Sequence, residues 1–353
     1  MKKQITLALL FAVLALTLPA QNEFKPSGSG IGTVFFNYKY DLARDIDKRS
    51  SFNLERAYLG YKYDFAKNIS GKVIFDVSYD PALKSFTAFA KNAFLDWKIS
   101  PMVKLSVGLI PFKHFELQDN FWGYRYIIKT FTDEYGMGTT ADLGVNVELP
   151  VSEMLTFNVF MINGEGFKGY KSWQDDYGMH KFGANATLKP SEGWSFRVHY
   201  DLMPNKYQLA DTLPVIDTST ISVFTAFAGY EVKEHFRIGA EYNLMNNGIN
   251  YRKLADEHQL SGLSVFGTYI IDKQFEIFAR YDYLTSNTIG NADDGWNFNG
   301  DLTQQADGSM VMAGVQYKPI KGVNFALNYR TFMHKNSDID AHTGLYLNLG
   351  LMF

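Results

Sequence analysis

The sequence predicts an all-β protein, a transmembrane antiparallel β-barrel of about 16 strands with short periplasmic turns and long external loops. Three observations lead there. The first is the stretch from His342 to Phe353. Phe353, Leu351, Leu349, Leu347 and Leu345 share one face of a strand, while Met352, Gly350, Asn348, Tyr346 and Gly344 share the other. Side chains alternate faces residue by residue in a strand, so one side is apolar and the other mixed polar, small and aromatic. The second is composition. Phe, Tyr and Trp make up 16% of the chain, yet mean hydropathy is only −0.17, as expected where each outward apolar residue is matched by an inward polar one. The third is rhythm, because tight turns alternate with long polar connections along the whole chain.

Taken in order, Lys2 and Lys3 precede an apolar run from Ile5 to Leu18, with a cleavage point after Ala20. That pattern is a secretory signal peptide, residues 1–20, too short to span a bilayer comfortably as a helix. Residues 21–29 form a short lead, too small for a plug domain, and 30–353 the barrel. Loss of Lys2 and Lys3 with the leader takes the formal charge from −3 to −5. The mild acidity excludes a nucleic-acid role, and zero cysteines exclude disulfides and thiolate metal sites.

The strands are expected at 30–41, 51–65, 70–80, 91–99, 103–112, 139–149, 154–163 and 179–189. The second half continues with 194–204, 219–231, 236–247, 259–271, 274–285, 310–318, 322–333 and 342–353. Turns such as Ser100-Pro101-Met102, Pro190–Gly193 and Asp272-Lys273 have hairpin length and turn-forming residues. Both termini then lie on the periplasmic side, which requires an even strand number. In 194–202, Trp194, Phe196, Val198, Tyr200 and Leu202 oppose Ser195, Arg197, His199 and Asp201. In 274–283, Phe275, Ile277, Ala279, Tyr281 and Tyr283 oppose Glu276, Phe278, Arg280 and Asp282. Segments 219–231 and 259–271 alternate poorly and leave their facing open. A barrel of this size encloses a water-filled lumen, and hydrocarbon forces the sheet to close because unpaired backbone groups there cost several kcal/mol each.

The third external loop, 113–138, is the expected gate. Phe115, Phe121, Trp122, Tyr124, Tyr126, Phe131 and Tyr135 make it too apolar to lie free in water. Folded inward, its rings would pack on the wall and its charges would face the channel. Inward charges of both signs roughly balance: Lys39, Arg56, Lys104, Arg197, Arg237, Arg280 and Arg330 stand among Asp76, Asp96, Glu148, Asp201, Glu241, Glu276 and Asp282. Ion preference does not follow from such a count, because selectivity needs one sign clustered.

Leu54-Glu55-Arg56-Ala57-Tyr58-Leu59-Gly60 resembles a segment of the porin O/P family, the phosphate-selective porins. Gly108 with Pro111-Phe112, Tyr124-Arg125-Tyr126, Ala141-Asp142-Leu143-Gly144-Val145 and Asn163-Gly164-Glu165-Gly166 are similar too. The resemblance implies a trimeric outer-membrane barrel passing anions or small solutes. It makes Arg56 and Arg125, which sit in the matching motifs, the first candidates for anion contact, followed by Lys113 and Lys129. Arg197, Arg280 and Arg330 join them as inward cations. Lipid, the outer-membrane assembly machinery reading the Phe353 strand, and a homotrimer are the expected partners, in a Gram-negative outer membrane; no cofactor is expected.

Two rival classes remain. In an enzyme, Ser195, His199 and Asp201 would share a face, but four residues along a strand separate Ser195 from His199 by about 13 Å, beyond general-base reach. A sealed barrel would only anchor or display its loops. The seven histidines are scattered, with no two at ligand spacing on one element, so no transition-metal site is expected. Loop 286–309 holds Asp293, Asp294, Asn297, Asn299 and Asp301 but fails the calcium-loop pattern and reads as a hydrated loop.

Overall fold

The computed structural model describes residues 24–42, 50–80, 83–168, 180–203, 207–210, 213–217, 220–248, 259–287, 307–335, 337 and 339–353. The strands of the first half are β1 (Ser27–Asp41), β2 (Ser50–Ala66), β3 (Ile69–Asp80), β4 (Ser85–Ser100), β5 (Val103–Pro111), β6 (Ala141–Pro150), β7 (Leu155–Ile162), β8 (Lys181–Leu188) and β9 (Trp194–Met203). A separate hairpin, β10 (Tyr207–Ala210) and β11 (Leu213–Asp217), follows in a connection. The second half holds β12 (Ile221–Val232), β13 (Phe236–Asn246), β14 (Gln259–Ile270), β15 (Phe275–Ser286), β16 (Gly308–Ile320), β17 (Val323–His334) and β18 (His342–Met352). Two helices, α1 (Glu116–Trp122) and α2 (Phe131–Glu134), lie in the third external loop. Among the described residues no helix is long and apolar enough to cross a membrane.

All strands but β10 and β11 form one closed antiparallel barrel of sixteen, each pairing with its neighbours in the chain and β1 with β18. Closure runs to the last residue. The Gly32 N–H donates to the Phe353 carbonyl at 2.8 Å, and the Phe353 N–H donates to the Gly32 carbonyl at 2.9 Å. The register of β9 and β15 puts Ser195, Arg197, His199 and Asp201, and Glu276, Phe278, Arg280 and Asp282, inside and buried. Trp194, Val198, Tyr200, Ile277 and Tyr281 stand outside. This inverts the pattern of a water-soluble protein: Leu327 is 60% exposed while Asp282 and Asn348 are fully covered. Only hydrocarbon makes the arrangement favourable, and a transmembrane barrel is therefore the fold.

Several expectations shift. β4 starts at Ser85, six residues before the expected 91, leaving only residues 81–84 as the second external connection. The alternation there is broken because β4 carries an irregularity opposite Ile74/Phe75, which places Lys91 out of register. A similar irregularity in β2, opposite Phe35/Phe36, lets Glu55 and Arg56 both line the interior. The two poorly alternating segments are resolved as well. β12 turns Ile221, Val223, Thr225 and Phe227 inward, and β14 turns Leu260, Ser264, Phe266 and Thr268 inward. Their inner faces are partly apolar because the third loop covers them. The leader 1–20 and the acidic residues 293–301 lie outside the described residues.

Candidate functional site

The connection from β5 to β6 turns into the barrel and lies along its inner wall. Helix α1 brings Phe121 and Trp122 onto one side and ends at Gly123, whose positive φ of 74° lets its N–H return to the Asp119 carbonyl. Trp122 and Tyr124 are wholly covered. Their rings meet Phe266 and Phe278 of β14 and β15 at centroid distances of 5.3 and 4.5 Å, and Phe121 meets Phe227 of β12 at 5.4 Å. Farther along, Tyr126 reaches Phe35 of β1 at 6.4 Å. The wall is shaped for the loop: a Cβ on Gly262 would stand 2.0 Å from the Phe131 ring. The main core of the molecule is thus this internal seam.

Polar contacts fix the same path. The Tyr124 hydroxyl donates to Glu276 and the Tyr126 hydroxyl to Gln316, both at 2.7 Å. Four wall arginines donate to loop carbonyl oxygens: Arg197 to Lys113 (2.6 Å), Arg237 to Trp122 (3.4 Å), Arg330 to Ile127 (2.8 Å) and Arg280 to Lys129 (2.5 Å). Glu241 accepts the Phe131 N–H, and Asn243 accepts the Thr132 hydroxyl. A segment with few regular backbone bonds is thereby satisfied from the barrel wall.

These contacts redistribute the expected anion-contact residues. Arg197 and Arg280 are turned to the loop backbone; Arg280 also forms a two-point bond to buried Asp282. Lys113 pairs with Glu116 and Glu148. Burial works against its charge, but the two carboxylates outweigh it and raise its pKa. Arg125 pairs with Asp133 at 2.6 Å and Asp119 at 3.8 Å, and those carboxylates likewise overcome desolvation to hold it charged. Arg56 bonds Asp76. Lys129 has no carboxylate within ion-pair range among the described residues.

Between the loop and the β1–β4 wall lies a cavity of about 1040 Å³. Arg56, Arg125, Lys129 and Arg330 line it, joined by Lys168 from the connection after β7, against Glu55 and Glu134. Four of the seven expected residues are therefore brought to one space; Lys113, Arg197 and Arg280 are not among its lining residues. Lys168 was absent from the sequence-based set because it lies beyond a strand end and carries no inward-alternation signal. Partial burial, and then the nearby Arg56 guanidinium, lower its pKa from that of a free lysine. Aromatic rings of Phe35, Phe52, Tyr79, Phe86, Tyr126 and Tyr346 complete the lining.

The His199–Asp201 pair is real, with Nε2 2.8 Å from Oδ2, but both side chains are fully buried beneath the loop. The histidines are less scattered than their sequence positions suggest. His114, at the loop's root, stacks on His199 with ring centroids 3.6 Å apart.

No family model and no curated protein matches the sequence. Solved structures do match in fold. The outer membrane channel DcaP of Acinetobacter baumannii is 15% identical with a TM-score of 0.64, over 94% of this chain and 99% of that one. OmpF of Salmonella typhi, solved with daunomycin, is 14% identical with a TM-score of 0.66, over 92% and 97%. A loop-deletion form of OmpT, an outer membrane protein of Vibrio cholerae, is 14% identical with a TM-score of 0.63, over 93% and 99%. At this identity the likeness is one of fold.

Proposed function

We propose that this protein is an outer-membrane porin, a passive diffusion channel for small hydrophilic solutes that favours anions and is narrowed by its third loop. The carrying observation is the cavity lining, with five cations (Arg56, Arg125, Lys129, Lys168, Arg330) and two carboxylates (Glu55, Glu134). One sign of charge collected in a confined space raises the local concentration of the opposite ion. Asp76 beside Arg56, and Asp119 and Asp133 beside Arg125, offset this excess of three in the formal count, so the reading rests on Lys129, Lys168 and Arg330, the lining cations with no carboxylate in ion-pair range among the described residues. The loop sets the narrowing because it occupies one side of the lumen on a fixed path.

The solute class extends from inorganic anions such as phosphate to small organic ones. Residues 1–20 serve as the export signal, the strand ending at Phe353 is read by the assembly machinery, and the barrel assembles as a trimer. Fold similarity to the channel DcaP and to a trimeric form of OmpT supports the reading. No covalent chemistry is assigned: the His199–Asp201 pair is sealed from solvent. The test is planar-bilayer recording. Stepwise conductance with an anion-favouring reversal potential is expected, and a barrel that passes no current would favour the anchoring alternative.

A further inference from the structure

We propose that the cavity opens sideways through the barrel wall between β2 and β3 and binds single-chain amphiphilic anions, with the acidic head inside and the apolar tail in the opening. The solute class so named rests on the cavity's being an anion path.

Strand pairing makes the opening. β2 bonds to β1 along nearly its whole length, from Ser50 to Asp64. On its other side, pairing with β3 begins only at Ala57, opposite Val77. Beyond that pair, Ser50–Arg56 has no strand partner toward β3 among the described residues, and Ser78, Tyr79 and Asp80 pair with β4 alone. Two local features part the strands. Glu55 is an extra residue in the pairing of β2 with β1, and such a bulge bends its strand. The β3–β4 hairpin turns back after Asp80, well short of the length of β2. An unpaired strand edge at membrane depth is tolerated only where protein covers it or where it lines a water-filled cavity.

Side chains from both faces of the wall line this one cavity. Phe52 is 73% exposed, Tyr79 52% and Phe86 55%, all on the lipid face of their strands. Arg56 and Ser78 face the lumen beside them, yet all five border the same space. A cavity bounded by both faces passes through the sheet.

Polarity changes along that passage. Phe52 and Leu54 form one outer lip, and Tyr79 with Phe86 the other, their rings 5.9 Å apart. Inside stand Arg56 on β2 and Lys168, whose Nζ donates to the Ser78 hydroxyl at 3.0 Å. Asp76 engages Arg56, and Glu55 accepts from Asn37, so Lys168 and Lys129 of the loop are the cations left for a head group. A small inorganic anion would use only the inner half, and an uncharged apolar molecule would leave the cations unanswered. An acidic amphiphile matches both halves, and a volume of about 1040 Å³ admits it.

The probe is dansylaminoundecanoate, read by its fluorescence with the barrel in phosphatidylcholine nanodiscs and with empty nanodiscs as blank. Saturable binding of one probe per chain is expected. Decanoate should displace it, whereas butyrate, a head without a tail, and decyl maltoside, a tail without a charge, should not at the same concentration. Lys129→Gln and Lys168→Gln should each weaken binding about threefold, the effect of a unit charge about 6 Å away in water. Phe52→Ser combined with Tyr79→Ser should weaken it at least about tenfold, as for loss of one buried ring. Tyr242→Ser, an outward ring on β13, should leave it unchanged. Folding of each variant is checked by heat-modifiable electrophoretic mobility. On the native protein, a decanoate analogue with a diazirine at its tail end should label the peptides holding Phe52 and Tyr79, which keeps the test open if a variant fails to fold. Labelling elsewhere, displacement by butyrate as strong as by decanoate, or loss of probe binding in nanodiscs containing phosphatidylglycerol, the mark of a resident lipid, overturns the proposal. Binding is read without current, so the two readings fail separately. A barrel that conducts but shows no saturable binding overturns this inference alone, and one that binds the probe but passes no current overturns the porin reading and leaves the amphiphile site.

Discussion

Reversing one charge, Lys129→Glu, is the sharpest perturbation of the lining, because Lys129 is the loop cation with no carboxylate in ion-pair range among the described residues. A sphere of 1040 Å³ has a radius of about 6 Å, at which a unit charge in water contributes about 0.7 kcal/mol. The substitution changes the charge by two, so an anion loses about 1.4 kcal/mol and a cation gains as much. Unscreened, that would alter the anion-to-cation ratio by roughly a hundredfold. With a Debye length of about 10 Å in 0.1 M salt, the change falls to on the order of tenfold, and with about 3 Å in 1 M salt to roughly twofold. The assay is reversal potential across a planar bilayer in a KCl gradient, run at both mean concentrations for the native and Lys129→Glu proteins. A shift toward cations that shrinks steeply with salt is expected. An unchanged potential at low salt, or an equal shift at both salts, would refute the assignment of Lys129 to the conducting path.

Other tests probe the loop and the remaining cation. Arg280→Met leaves buried Asp282 unpaired and should cost about 3–5 kcal/mol in chemical unfolding, whereas Arg280→Met with Asp282→Leu should recover most of it. Gly262→Val drives a side chain into the Phe131 ring; an overpacking cost of about 1–3 kcal/mol and faster proteolysis of the loop around α2 should follow. Because Lys168 has a lowered pKa, its charge is lost before that of a free lysine as pH rises. The anion preference should therefore begin to fade below the ordinary lysine range of about 10.4 as pH rises, and Lys168→Arg should suppress that fade in reversal potential.

How much of this was legible in the sequence depended on what each side chain answers to. Strands β9, β15 and β18 could be read residue by residue because lipid and lumen impose opposite demands on alternate positions. β12 and β14 could not, since Val223, Phe227 and Phe266 face a protein surface inside the barrel rather than water. The signal was present in two halves: a loop rich in rings, and strands with apolar residues on both faces. Reading the halves together would have located the docking surface. The arginines misled more, because inward direction says nothing of partner. Arg197 and Arg280 point inward as expected, yet their guanidiniums hold loop carbonyl groups. The stack of His114 on His199 depends on the loop's path and has no local signature at either position. β4 was shortened in the reading because its irregularity at Lys91 interrupts the two-residue period.

Single-channel recording of the purified protein in a planar bilayer bears most directly on the central claim. The account predicts discrete conductance steps with a reversal potential on the anion side in dilute KCl. A correctly folded barrel that inserts and carries no current, or one that favours cations, would contradict it.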